Sequence, residues 1–423
     1  MCRTPPRLSS RTAHLIRWSG SGLLALLLAI PCSSAWATGD AVAAPATRFS
    51  IQGFGTLGLA RTNNDSAEFA RDLSQPDGAG TTWTGKVDSL LGIQANLQVS
   101  PQTEGVLQLV SRHHYDASFN PELTWAFLRH DVSPDVSVRA GRLGTEFYML
   151  GDSRLVGYSN LSLRLPPDFY GSLVFSYIDG LDVSAVWQLP HGLLRGKVFA
   201  GKSPEKTPYA SGIVWDQRGS TLQGGYLEYQ TGPWQARASH ARVRFNHEAP
   251  TDALLRAMGD PLGGLPYLAL VPAMAMQDKW TRFASVGLVY DAGPLNVQLM
   301  LNQVQHDGAA YADSKAAYAL AAYRLGAITP YAGISRSFTP TEPLPASGSA
   351  MVDVLTASLV SQSYVDQNTI TLGARWDFQK NMALKAQIDR IDGQPTSKFL
   401  VKNPQPGWDG RMTVFSLSLD FVF

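Results

Sequence analysis

The chain has 423 residues, only 16% of them charged, with 38 glycines and a formal net charge of +1. Its mean hydropathy of −0.08 looks like that of a water-soluble chain, yet strands that alternate oily and wet residues average to the same value while still crossing a membrane. Outside the N-terminal segment no apolar run approaches the ~20 residues of a spanning helix, so a membrane location requires strands. The near-neutral charge and the lack of basic runs give no reason to expect nucleic acid as a partner.

Residues 1–37 begin with Arg3, Arg7, Arg11 and Arg17 and no acid, continue through an apolar run from Leu23 to Ile30, and reach Pro31 and the small-x-small triplet Ala35-Trp36-Ala37. This is the pattern of a secretory signal peptide cleaved after Ala37. The apolar run is about half of what a membrane anchor needs, and Ile30-Pro31 before Cys32 is not the small-residue context of a lipidation site. Cys2 and Cys32 are the only cysteines, so the mature chain is expected to have no disulfide and no cysteine-based metal site. Removal of the segment changes 35 basic and 34 acidic residues to 31 and 34, a formal charge of −3. The residues imply no metal and no cofactor.

Residues 38–47 form a short alanine-rich linker, and residues 48–423 read as one run of strands. The first strand places Phe49, Ile51, Leu57 and Leu59 on one face and Ser50, Gln52 and Thr56 on the other. After a polar loop over 62–84, the second alternates Val87, Leu91, Ile93, Ala95, Leu97 and Val99 with Asp88, Gln94, Asn96 and Gln98. Pro101-Gln102 turns the chain into a third strand, which runs through Leu107 and Leu109 to His113. The fourth, Leu123 to Val132, has no clean face, with Trp125 and Phe127 on one side and Leu128 and Val132 on the other. After Ser133-Pro134-Asp135 the fifth alternates Val136, Val138 and Ala140 with Ser137, Arg139 and Gly141.

Alternation then stops from Gly144 to about Ser172. Hairpins resume with turns at Pro190-His191-Gly192, Gly232-Pro233, Ala292-Gly293-Pro294, Leu325-Gly326-Ala327 and Gln379-Lys380-Asn381. Longer connections lie between them, one with a helix-like stretch at Thr251 to Met258 and one rich in proline and serine over 339–366. The last strand, Arg411 to Phe423, sets Phe415, Leu417, Leu419, Phe421 and Phe423 against Ser416, Ser418 and Asp420. The count is about sixteen. Connections after even-numbered strands are all short and most of those after odd-numbered strands are long, the asymmetry of an all-β, antiparallel up-and-down transmembrane barrel. The final strand must then pair with the first to remove both free edges.

On these features, and above all on Arg139-Ala140-Gly141-Arg142, the long segment after it and the terminal Phe423, the chain resembles the Gram-negative trimeric outer-membrane porins. The resemblance implies a cell outer-membrane location in contact with lipid, a homotrimer, and a third external loop folded into the barrel to narrow it opposite charged wall residues. It implies passive diffusion of small hydrophilic solutes and ions. The interrupted segment has suitable chemistry for such a constriction: Glu146, Asp152 and Asp168 stand beside Arg154 and Arg164, with Phe147, Tyr148, Tyr158, Phe169, Tyr170 and Pro166-Pro167 to pack it. Irregular backbone at membrane depth is tolerated where it is buried in protein or lines water. Strand parity directs Arg139, Arg375, Asp377, Lys385, Asp389, Asp88 and Lys197 to the lumen, and Arg142 joins the pore-wall candidates at the start of the loop.

Beside this reading stand a purely structural or adhesive barrel whose loops block the lumen, a solute-selective channel and a barrel enzyme. A channel selective for one small solute differs from a general pore by only a few side chains. A barrel enzyme would need a catalytic constellation, and neither Gly-x-Ser-x-Gly nor His-Glu-x-x-His occurs. The resemblance also makes Phe423 an assembly signal read by the insertion machinery. Deletion of Phe423 is therefore expected to lower the yield of membrane-inserted protein while leaving the conductance of the inserted fraction unchanged; full membrane yield would refute the role.

Overall fold

A computed structural model describes residues 48–210, 212–260, 267–268, 270–340 and 343–423. The expected signal peptide and the whole of the linker over 38–47 lie outside the described residues. Sixteen antiparallel strands close into one barrel: β1 (Phe49–Thr62), β2 (Leu90–Ser100), β3 (Thr103–Arg112), β4 (Glu122–Ser133), β5 (Val136–Gly144), β6 (Tyr177–Leu189), β7 (Gly192–Lys202) and β8 (Thr221–Thr231), then β9 (Trp234–Arg244), β10 (Trp280–Ala292), β11 (Leu295–His306), β12 (Ser314–Tyr323), β13 (Ile328–Phe338), β14 (Asp366–Gln379), β15 (Met382–Gly393) and β16 (Arg411–Val422). Each strand pairs with its sequence neighbours, and β16 pairs with β1 from Phe54↔Val422 to Thr62↔Val414. Closure satisfies every strand edge, which is what a bilayer demands of a sheet.

The turns at one end fall where turn residues were expected. At Gly232 and Gly293 the backbone is left-handed, with φ of 51° and 53°, a conformation glycine adopts without Cβ strain. The other end carries the long connections, with helices at Asp252–Gly259 and Ala350–Val360 and a small ribbon of Lys206–Ala210 with Ile213–Asp216. The proline- and serine-rich stretch over 339–366 thus holds a helix that periodicity did not reveal. Strand β2 begins at Leu90, later than the alternation from Val87 indicates; Val87 instead packs with Ala60, Phe69, Met412 and Val414 beneath the first loop.

Ile51, Leu57, Leu97, Leu107, Leu181, Val198, Leu299, Ile370 and Leu417 are exposed on the outer surface, as lipid-facing residues are. Near the short-turn end the outward residues turn aromatic: Trp187, Trp234, Tyr323, Trp376 and Phe423 are all exposed, and Trp234 packs on Tyr290 at 4.7 Å. They form a girdle at one water boundary. The mixed face of β4 has a local cause. Its register with β3 shifts by one residue between Gln108 and Leu109, so that Thr124 and Trp125 both turn inward, a bulge that switches parity within the strand.

The seam between β1 and β16 is closed by aromatic rings lying on glycines. Phe423 exchanges backbone hydrogen bonds with Gly53, 2.8 and 2.9 Å long, and its ring covers the position a Cβ would occupy on Gly53; Phe421 does the same on Gly55. The two rings stack at 6.3 Å. A side chain at Gly55 must displace Phe421, and overpacking of this kind costs about 1–3 kcal/mol. Gly55→Val is expected to lower the temperature at which the folded band converts to the unfolded one on detergent gels, whereas Gly80→Ala, which meets no neighbour, leaves it unchanged.

Candidate functional site

The connection between β5 and β6, residues 145–176, does not stay outside the barrel. Its base is tied by Thr145, whose N–H donates to the Ser176 carbonyl at 3.0 Å and whose hydroxyl donates to that of Phe175 at 2.7 Å. From there it runs inward and meets the wall in three regions of different chemistry.

The first is a charged collar. Glu146 accepts from Lys197 of β7 and from Arg139 of β5 at 3.3 Å, with Arg237 of β9 4.0 Å away. Arg139 is also held by Asp182, and Glu228 takes Arg237 at 2.6 Å and Arg195 at 3.0 Å. The Tyr226 ring lies under the Arg237 guanidinium at 3.9 Å. Burial alone would raise the Glu146 carboxyl, but Lys197, Arg139 and Arg237 outweigh it and hold it below its ordinary value. Its contribution to docking the loop is thus present above the ordinary carboxylate range and is lost as pH falls through the lowered value. Around these groups is a cavity of about 430 Å³ that extends toward the short-turn end past Glu104 and Arg129 and is also lined by the exposed Asp152.

The second region is a set of buried polar anchors on β13 to β16 and in the turn before β2. Lys385 donates to the loop carbonyls of Gly157, Asn160 and Ser162 at 2.7, 2.7 and 3.1 Å and pairs with Asp420 at 3.0 Å. Arg375 donates to the carbonyls of Tyr158 and Asn160 and is gripped by Asp377 at 2.8 Å. Arg164, 1% exposed, lies between Asp88 and Asp389 at 2.6 and 2.9 Å, donates to Ser416 at 2.6 Å, and is covered by the Phe69 ring of the first loop at 4.9 Å. Asp168, in the single helical turn Pro167–Tyr170, accepts from Ser335 and from Gln367 at 2.6 Å. It has no ion pair among the described residues, and burial pushes its carboxyl above the ordinary value.

The third region is apolar. Phe147 packs against Phe283, Phe199 and Phe175 at 5.0, 5.8 and 6.3 Å. Tyr148, Phe169, Tyr170 and Tyr318 extend the layer across β12, joined by Met149 and Met300. The inward faces of β8 to β12 are oily toward the loop end, through Leu222, Val243, Phe283, Val304 and Ala316. Period-2 reading cannot distinguish such a face from a polar lumen once both faces of a strand are apolar.

Of the residues that parity directs inward, Arg139, Lys197, Arg375, Lys385 and Asp389 meet the third loop from their strands, whereas Asp88 meets it from the turn before β2. Arg142 is different. It shares its face with the exposed Ala140, and its partner Asp179, 2.6 Å away, shares that of the exposed Leu181. Leu143 on the opposite face packs inside with Phe147. Arg142 therefore points out of the barrel near its loop end and is not a pore-wall residue. Ser416, Ser418 and Asp420 point inward but are covered by the loop rather than by water. Arg154 is spent on the carbonyls of Leu173 and Phe175 and on Ser176 at 2.6 Å. The collar members Asp182, Arg195, Glu228 and Arg237 were missed, although Arg237 and Ser239 alternate with Ala236 and Ala238 in β9 as inward residues do.

No family model matches the chain, and no curated protein matches it in sequence. Solved structures do match in fold. The anion-selective porin from Comamonas acidovorans is 14% identical at a TM-score of 0.52, over 89% of this chain and 99% of the other. OmpF of Salmonella typhi, in complex with daunomycin, is 12% identical at 0.54, over 89% and 97%. OprB of Pseudomonas putida is 11% identical at 0.51, over 89% and 94%.

Removal of Arg164 would strand two buried carboxylates, a loss of about 3–5 kcal/mol for a broken buried pair. Arg164→Met is expected to loosen residues 157–164, seen as faster protease cleavage there and a lower gel-conversion temperature. Adding Asp88→Asn and Asp389→Asn to that variant should restore part of the loss. Together with the barrel closure and the inward third loop, the structural matches give the chain the sixteen-stranded fold of the Gram-negative outer-membrane porins.

Proposed function

We propose that the chain is an outer-membrane porin, a channel for passive diffusion of small hydrophilic solutes and ions, and not an enzyme. The observation that carries this reading is the third loop, which runs inside a closed barrel and meets a charged collar on its wall. Rings of opposed charge across a narrow path sort solutes by field and size. In this reading the water-facing members are Glu146, Asp152, Arg139, Lys197, Arg195 and Arg237, while Arg164, Asp168, Arg375, Lys385 and Asp389 hold the loop. The cations Arg139, Arg195, Lys197 and Arg237 face Glu146, Asp152, Asp182 and Glu228, a balance that favours weak ion selectivity. The fold and the signal-peptide pattern support export to the outer membrane with removal of residues 1–37, and the fold supports a homotrimer.

One observation favours a narrower version, a channel selective for a particular small solute. The collar cavity and the cavity beneath the long loops share no lining residue, and the layer of Phe147, Phe175, Phe199 and Phe283 lies between them. A solute on that path must press past aromatic rings.

Planar-bilayer recording of the purified protein tests both versions. Discrete small steps are expected, closing in threes if the trimer is right; the absence of steps would remove the channel reading. Glu146→Gln and Asp152→Asn should each move the reversal potential toward anions, and Asp168→Asn should leave it unmoved.

A further inference from the structure

The long connections close over a cavity of about 310 Å³ that passive diffusion does not itself require. Its lining is drawn from every long connection except the one after β3, so it stands across the mouth of the barrel. This volume is at the small end of ligand pockets, which run from about 300 to 1,000 Å³. One or two rings would fill it.

The walls are aromatic. Trp215 packs on Phe245 at 4.6 Å and lies nearly parallel to Tyr311, 17° apart with centroids at 5.8 Å. Phe399 meets Tyr311 edge-on at 6.5 Å, and Tyr209 adds a further ring. Flat π-surfaces in this arrangement select planar partners over saturated ones of equal size. The polar groups of the same cavity are cationic or neutral. Lys398 and Lys402 both line it, and the described lysines in ion pairs are Lys86, Lys197 and Lys385, so among the described residues neither has a carboxylate within 4.0 Å. Lys402 uses one N–H on the Leu73 carbonyl at 3.2 Å and keeps two donors. Burial draws its ammonium down to about 8 against the opposing fields of Asp72 and Asp77, a cost that an anion bound beside it would reduce.

We propose that this vestibule binds a small aromatic carboxylate, its ring against Trp215 and Tyr311 and its carboxylate at Lys398 and Lys402. The proposal rests on the porin reading in that it names a solute class the channel would collect; binding itself needs no conduction.

The test is calorimetric titration of the full chain in detergent with benzoate, with cyclohexanecarboxylate as the anion without a π-face and benzyl alcohol as the ring without a charge. Benzoate is expected to bind saturably and at least about tenfold more tightly than either control. The double variant Lys398→Met/Lys402→Met should lose about tenfold for benzoate and nothing for benzyl alcohol, and Tyr311→Ala should lower benzoate affinity. Gel conversion confirms that each variant is folded. The proposal is overturned if benzoate gives no saturable heat at millimolar concentration, if cyclohexanecarboxylate binds equally well, or if the folded double-lysine variant binds benzoate like the parent. Benzoate binding without channel steps would sink the porin reading and leave this one standing; steps without benzoate binding would do the reverse.

Discussion

Everything in this molecule depends on finding partners for backbone groups that have neither lipid nor bulk water to turn to. The sheet solves its share by closing, β16 onto β1, so that no strand edge is left over. The third loop is harder, because irregular backbone inside a barrel has carbonyls at unpredictable angles. The wall meets them with cations: Lys385 donates to three loop carbonyls and Arg375 to two. Asp420 and Asp377 then balance those cations. Two of the charges that look in sequence like a pore lining thus serve as caps for a chain segment whose regular structure is limited to the 3-10 turn Gly157–Ser159. A neutral donor would serve less well, since hydrogen bonds from ionised donors are roughly twice as strong as neutral ones.

Polarity runs in both directions across the loop. At Glu146 the loop is acidic and the wall basic, the arrangement that the porin resemblance implies. At Arg164 the order is reversed, with the loop basic and acids at Asp389 of β15 and at Asp88 in the turn before β2. The difference in environment decides what each can do. Arg164 and its partners are almost wholly covered, so their mutual field is spent locally, whereas the Glu146 cluster opens on a cavity and its field extends into that space. A count of charges per loop cannot separate these two cases.

The barrel was legible because its signal is local. Strand number, hairpin turns and most inward charges follow from period 2 and from glycine, proline and asparagine at turns, and both need only a few neighbouring residues. What failed has an equally physical reason. The bulge at Thr124 adds one residue and swaps the faces of β4. Arg142 lies at the end of a strand, where its direction is set by pairing with Asp179 across to β6. The anchors of Arg164 are separated from it by 76 and 225 residues in sequence, so their meeting depends on the closed barrel and the loop's path together. The apolar inner face of β8 to β12 removed the contrast on which alternation relies.

The two sides of the third loop are fixed by interactions of different kinds, and this bears on how a solute could pass. Toward β1 and β13 to β16 the loop is bound by buried ion pairs and by charged donors on its own carbonyls, and each such contact, if broken, leaves an uncompensated charge out of water. Toward β10 to β12 it is held mainly by ring contacts of Phe147, Tyr148 and Phe169, supplemented by single hydrogen bonds such as Asn302 to the Phe169 carbonyl at 3.1 Å. Ring contacts are non-directional and can be exchanged for contacts with a solute at little net cost, since apolar area leaves one surface only to cover another. The ion-paired side is therefore the fixed edge of the constriction and the aromatic side its compliant one. A pore of the proposed kind, built this way, would yield most readily to solutes that can themselves cover a ring, and the aromatic vestibule above it is lined by Phe175 and Phe283, which belong to the layer around Phe147.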